Sequence, residues 1–142
     1  MSRAFVKETD SEAVEELPDR PISTHPNIVT ATGLAQIETE VARLQAGYTV
    51  AQARKDHVAL ASLARDLRYW TARHASAKQA PPPPDAEEVR FGTHVTIVRE
   101  DGRRQTYRIV GEDEADPARG TLSYAAPLAR LLMGKRVGDT VT

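Results

Sequence analysis

The feature that most constrains this chain is a mirror symmetry among its apolar residues between Val29 and Gln79. Leu34, Ile37, Val41, Leu44, Tyr48 and Ala51 follow one another at spacings alternating between three and four, the period of a helix–helix seam. Leu60, Leu63, Leu67, Trp70, His74 and Ala77 do the same. Reflected about the Lys55–Asp56 bond, Ala51 meets Leu60, Tyr48 meets Leu63, Leu44 meets Leu67, and the pairing continues out to Leu34 and Ala77. A chain folded back at that bond closes the two stripes on each other. The spacing therefore predicts an antiparallel helical hairpin over 29–79 with one shared seam.

Local chemistry sets the ends of the hairpin. The Thr30 hydroxyl is suited to cap the first helix, with Val29 and Leu34 as a hydrophobic staple around it. Gly47 offers an early left-handed stop, but the seam continues through Tyr48 and Ala51. The helix is expected to run on through it, at a cost of about 1 kcal/mol. Arg54, Lys55, Asp56 and His57 form the tip, where Asp56 caps a second helix expected to reach Gln79. Each helix would then span roughly 35 Å.

Residues 1–28 are acidic, sparse in apolar side chains and interrupted by Pro18, Pro21 and Pro26, so they read as a disordered tail. The prolines at 81–84 stop the second helix and make 80–87 a stiff, extended linker. Within 88–142 the period changes to two. Val89, Phe91, Thr93, Val95 and Ile97 predict a strand, prolonged by Val98 and turned at Glu100, Asp101 and Gly102. A return strand over Gln105–Val110, an acidic loop over Gly111–Gly120 and a short strand over Thr121–Ser123 follow. Pro127 opens a short helix over Leu128–Met133, closed by Gly134, and Val137–Asp139 turns into a last strand cut off at Thr142. The fold class is α+β: a helical hairpin, then a small antiparallel β-domain with one short helix.

Composition removes several function classes. There is no cysteine among the 142 residues, hence no disulfide framework and no thiolate metal site. Net charge is -1, but residues 30–80 carry seven basic and four acidic side chains, so the hairpin is the cationic part. No apolar run resembles a signal peptide or a membrane span, and a soluble cytoplasmic monomer is expected. The four histidines, His25, His57, His74 and His94, show no ligand spacing. His74 is expected to be partly buried on the seam. Arg65, Arg68 and Arg73 read either as a solvated basic face or as contacts to nucleic acid.

The stretches Val110–Gly120 (VGEDEADPARG), Leu122–Lys135 (LSYAAPLARLLMGK) and Val137–Asp139 resemble the carboxy-terminal domain of the GreA/GreB transcription elongation factors. The opening Met1–Glu8 (MSRAFVKE) and His25–Gly33 (HPNIVTATG) are similar to a Gre-like subgroup. The resemblance implies an FKBP-like fold for 88–142 and docking on RNA polymerase beside its secondary channel. It also implies a hairpin inserted into that channel, and no autonomous enzyme. In that family acidic residues at the tip hold a second magnesium ion and promote RNA cleavage by the polymerase. The polymerase-binding residues it implies here are Asp113, Glu114, Asp116, Ala126, Pro127, Leu128 and Arg130, with the acidic loop solvated and facing the partner.

Four departures shape the expectation. The family's tip carries an aspartate-leucine-variable-glutamate-asparagine run, whereas here only Asp56 is acidic, flanked by Arg54 and Lys55. Asp56 is a weak metal candidate and a better helix cap. The hairpin is also shorter than the family's. Alanine at 126 replaces the serine usual before the proline, removing a capping hydroxyl worth about 1 kcal/mol. Finally, the chain stops before the family's last strand, so a truncated domain with an unpaired sheet edge is expected. Together these predict a polymerase-binding elongation regulator with weak or absent stimulation of transcript cleavage. It would hold no cofactor of its own, any Mg2+ would be reached only through the polymerase, and RNA or DNA contacts would be indirect. Two other readings stand beside it. One is a peptide-binding or prolyl isomerase module using Phe91, Tyr107 and Tyr124. The other is a structural coiled-coil interaction protein.

Overall fold

Two long helices form where the mirrored stripes lie. In the computed structural model, which describes residues 16–84 and 87–142, helix α1 runs Ala31–Arg54 and helix α2 runs His57–Ser76. Just before α1, strand β1 (Ile28–Val29) pairs in parallel with β2 (Lys78–Gln79), Ile28 opposite Lys78. The second helix therefore stops short of Gln79. The Asn27 carbonyl accepts from the Lys78 amide at 2.9 Å, and its side-chain amide donates to Ser76 Oγ at 3.1 Å. The prolines that follow disfavour further helix.

The chain divides into two compact units. One holds Ile37–Ala75 with the described residues that precede His25; the other holds His25–Gln36 and Ser76–Thr142. The boundary thus differs from the one expected at the prolines. The roots of both helices group with the sheet, through β1, β2 and the contacts described below.

In the first unit the seam of α1 forms as the spacing predicts. Ile37, Leu44 and Ala51 are buried, and Val41 and Tyr48 half-buried. Gly47 sits inside α1, where a Cβ would lie 3.3 Å from Leu63 Cδ2, in keeping with the reflected register. Leu60, Leu63, Leu67 and Trp70 are half-buried on α2. The stripe fails at the far end of α2: Arg73 is 2% exposed, whereas His74 lies outside with Nε2 3.2 Å from Glu38 Oε2. A long aliphatic stem lets an arginine take the inward position there.

The expected disorder of 1–28 is corrected for its described part; residues 1–15 lie outside the described residues. The segment from Leu17 to Arg20 lies along α2. The Leu17 carbonyl accepts from Arg68, Asp19 pairs with Arg68, Arg20 pairs with Asp66, and the Arg20 guanidinium stacks on Tyr69. Prolines at 18 and 21 reduce the entropy lost on ordering.

In the second unit, β3 (His94–Val98) and β4 (Arg104–Val110) pair antiparallel with Val95 opposite Tyr107. Strand β5 (Thr121–Ser123) joins β4 in parallel with Leu122 opposite Ile109, so the sheet is mixed rather than wholly antiparallel. Helix α3 (Pro127–Leu132) buries Ala129 and Leu132. Ile109, Leu122 and Ala129 form the core, with Val89, Val95, Tyr107, Tyr124, Leu128 and Met133 packed against it.

Two strand boundaries differ from expectation. The strand anticipated from Val89 begins only at His94. Gly92 at φ 88° and the Thr93 amide bonded back to the Arg90 carbonyl make a turn first. The last strand does not form over 137–142. An isolated Glu88–Arg136 bridge stands in its neighbourhood. Asp139 then closes a turn onto Arg136, with Gly138 at φ 94°.

The seam yields a contrast between two members of one predicted pattern. Leu44→Ala is expected to cost about 2–5 kcal/mol, and His74→Ala less than about 0.5 kcal/mol, both measured by urea unfolding.

Candidate functional site

The hairpin tip is built from Lys55 and Asp56 alone. Lys55 adopts φ 54°, the left-handed conformation that ends α1. Its amide donates to the Gln52 carbonyl at 3.1 Å, and the Asp56 amide to the Ala51 carbonyl at 3.0 Å. Asp56 then caps α2: its Oδ1 accepts from the Ala59 amide at 3.1 Å and its carbonyl from the Leu60 amide at 2.9 Å. Arg54, Lys55, Asp56 and His57 are all exposed. One carboxylate, already engaged as a cap, therefore stands among Arg54, Lys55 and His57. A hard divalent cation needs several oxygen ligands, and the tip offers few. Among the described residues, no three histidine or acidic side chains gather in a way that would hold a metal ion. Nor is any helix there long and apolar enough to cross a membrane.

The remaining charges of the hairpin are largely partnered. Arg65 pairs with Asp66 at 3.2 Å, Arg68 with Asp19, and Arg73 is buried, so these three do not form the open basic face anticipated. On the solvent side of α1, the hydrogen bond from Arg43 holds the Glu40 carboxyl below its ordinary range. The support this pair gives the helix is present at neutral pH. It is lost as pH falls through that lowered pKa.

The second candidate region is the start of α3. Ala126 occupies the cap position with no side-chain cap bond, and Pro127 follows at the first helical position. Pro127, Arg130 and Leu131 are exposed, while Leu128 is half-buried against the core. Asp116 is exposed too; its amide donates to Thr121 Oγ1 at 2.7 Å, and its carboxylate lies 3.5 Å from Arg119. Asp113 is half-buried. The edge of α3 thus offers Pro127, Arg130 and Leu131 to solvent, and Asp116 is exposed on the loop that precedes β5.

Glu114 differs most from its expected role. Its Oε2 accepts from the Thr30 amide at 3.0 Å and the Gly111 amide at 3.2 Å, and its Oε1 from Thr30 Oγ1 at 2.6 Å. Thr30 Oγ1 in turn accepts from the Gly33 amide at 3.0 Å, the cap the sequence predicts. The carboxylate serves the positive end of α1 rather than a solvated loop. Gly33 makes room for it, and Gly111 makes room for the backbone of Ile28. A Cβ on Gly33 would lie 2.2 Å from Glu114 Oε2, and one on Gly111 would lie 2.5 Å from the Ile28 carbonyl oxygen. Composition hid this residue in an acidic run; the signal was the glycine three positions after the capping threonine.

The aromatic residues of the isomerase reading are engaged within the chain. Phe91 packs edge-on to Tyr124 with centroids 5.8 Å apart, and the Tyr124 hydroxyl donates to the Pro26 carbonyl. Tyr107 packs on the core. A cavity of about 180 Å³ beside Phe91 is lined partly by the chain's own Pro81, Pro82 and Pro83.

Residues 83–142 match the family described as transcription elongation factor, GreA/GreB, C-term. The transcription elongation factor GreB of Neisseria meningitidis serogroup B is 42% identical over 79 residues, covering 54% of this chain and 48% of that protein. The GreA of Alkalilimnicola ehrlichii is 54% identical over 56 residues, 39% of this chain and 35% of that protein. The chain thus spans about half, or less, of the curated relatives it matches. Among solved structures, the GreA factor homolog 1 (Gfh1) of Thermus thermophilus is 17% identical with a TM-score of 0.37, covering 82% of this chain and 88% of its own.

Two outcomes follow from the caps. Asp56→Ala should destabilise the protein by about 0.5–2 kcal/mol in urea unfolding. Gly33→Ala should destabilise the wild type by about 1–3 kcal/mol through the clash with the fixed carboxylate. In a Glu114→Ala background the same change should become stabilising by up to about 1 kcal/mol, because alanine is the better helix former. A double-mutant cycle reads that reversal of sign.

Proposed function

We infer that this chain, whose residues 83–142 match the C-terminal domain of the GreA/GreB transcription elongation factors, docks on RNA polymerase through its sheet domain and offers its helical hairpin to the secondary channel. The observation that carries this reading is the exposed edge of α3, with Pro127, Arg130 and Leu131, inside the stretch that matches the family. Proline at the first helical position fixes the presentation of that edge. Apolar and cationic side chains beside it suit a large protein partner. Asp116 adds a negative charge for complementary steering.

The chemistry of the tip directs the mechanism. Stabilising a second metal ion in a polymerase active site takes clustered carboxylates. Asp56 alone, capping α2 and flanked by two cations, is poorly suited to that task. The proposed effect is therefore occupation or gating of the channel, with weak or absent stimulation of transcript cleavage. In this reading the chain is not an enzyme, holds no cofactor, acts in the cytoplasm as a monomer and meets RNA or DNA only within the elongation complex. Glu114 is read as an internal clamp that leaves docking to its exposed neighbours.

Pull-down of core RNA polymerase tests this reading. The double variant Pro127→Asp with Arg130→Glu alters exposed positions only, so its thermal unfolding should match wild type. Its retention of polymerase should fall by at least about tenfold, the equivalent of roughly 1.4 kcal/mol. Equal retention would refute docking through α3. In stalled elongation complexes the wild-type chain should leave the rate of transcript cleavage near its uncatalysed level; a strong stimulation would overturn the channel-occupation mechanism.

A further inference from the structure

We propose that the face of α2 formed by Asp66, Arg68, Tyr69 and Trp70 is a recognition site for a short peptide carrying an acidic residue followed by arginine, with the chain's own Asp19 and Arg20 as its resident occupant. The site has two adjoining parts. Arg68 receives the acidic residue: its Nε lies 2.5 Å from Asp19 Oδ1, while its Nη2 donates to the Leu17 carbonyl at 2.8 Å. The two aromatic rings receive the arginine. Tyr69 and Trp70 stand edge to face with centroids 5.1 Å apart. The Arg20 guanidinium lies 4.0 Å from the Tyr69 centroid and 5.9 Å from that of Trp70, and its Nη1 lies 3.4 Å from Asp66 Oδ1. A planar cation over a ring face beside a carboxylate is the arrangement that selects arginine over lysine.

The occupant is held in a way that permits exchange. Its contacts are chiefly ionic and solvent-accessible: the Asp19 side chain is 76% exposed, and those of Arg20 and Arg68 are 37% and 42% exposed. Such pairs are weak and screened by salt. The segment has no helix or strand of its own, and Pro18 and Pro21 bracket the dipeptide. The chemistry favours a peptide over a nucleic acid, because the part of the face made by the rings and Asp66, whose Oδ1 also lies 3.2 Å from Arg65 Nε, takes a cation, and a nucleic acid brings none. Because the face uses the hairpin alone, the inference stands apart from the polymerase reading.

Trp70 is the single tryptophan of the chain, so its fluorescence reports the state of the face directly. The experiment compares acrylamide quenching of Trp70 in the full wild-type chain and in the Asp19→Asn, Arg20→Ala variant. Far-UV circular dichroism should be unchanged, and quenching in the variant should rise roughly two-fold as the cation leaves the rings. A synthetic peptide with the sequence of residues 16–24 should then restore the wild-type quenching saturably, and less well at high salt. The same peptide carrying both substitutions should not. Equal quenching in wild type and variant, or no rescue by the unaltered peptide, overturns the proposal. Shielding of Trp70 by a single-stranded RNA oligonucleotide in place of the peptide also overturns it, by assigning the face to nucleic acid.

Discussion

The first unit depends on one constraint, the closure of the α1 stripe at Ile37, Leu44 and Ala51. Each large aliphatic side chain withdrawn from water there contributes about 1.5–3 kcal/mol. A chain with only 5% aromatic residues has few other sources of burial. Closure along a long seam also dictates how the tip is made. Two helices that must stay in register tolerate a short turn, and the turn that forms uses Lys55 in the left-handed conformation and Asp56 as a cap. The tip residues are thus consumed in ending one helix and starting the next.

The second unit solves a related problem at the other end of α1. A helix that begins beside a sheet presents unpaired amides to a partly buried place. Thr30 satisfies one in the ordinary way, through Gly33. Glu114 arrives from the loop after β4, binds the Thr30 hydroxyl and amide, and ties the Gly111 amide into the same carboxylate. Gly33 and Gly111 are small for the same reason: a carboxylate or a carbonyl lies where a Cβ would be. The parallel pairing of β1 with β2 joins the chain just before α1 to the chain just after α2.

Periodicity made α1 and most of α2 legible because a single buried face repeats at fixed spacing. It also located β4, β5 and α3, whose turns carry glycine or proline at the positions the backbone requires. It failed where order comes from pairing rather than from period. Arg73 and His74 are adjacent in sequence, and a scale that counts charge as exposed puts the wrong one inside. The Leu17–Arg20 segment is held by partners 46 to 51 residues away, and nothing local announces them. Glu114 sat in an acidic run whose composition suggested solvent, while its geometry is that of a helix clamp. The first residues of the expected strand at Val89 were lost to the positive φ of Gly92.

The contrast between Asp56 and Glu114 bears on what a protein of this kind does with its acids. Both carboxylates serve helix N-termini, one exposed at the tip and one at the root. A carboxylate that caps a helix has one oxygen committed and its charge partly balanced by the helix dipole. Recruiting it to a shared metal would give up the cap and set the metal beside Lys55 and Arg54. Adding a second acid next to Asp56 would restore coordinating power but would place like charges in one turn. The sequence at the tip takes neither course. It favours a well-ended helical hairpin over a metal-holding one, because Lys55 and Asp56 are both used in ending one helix and starting the next.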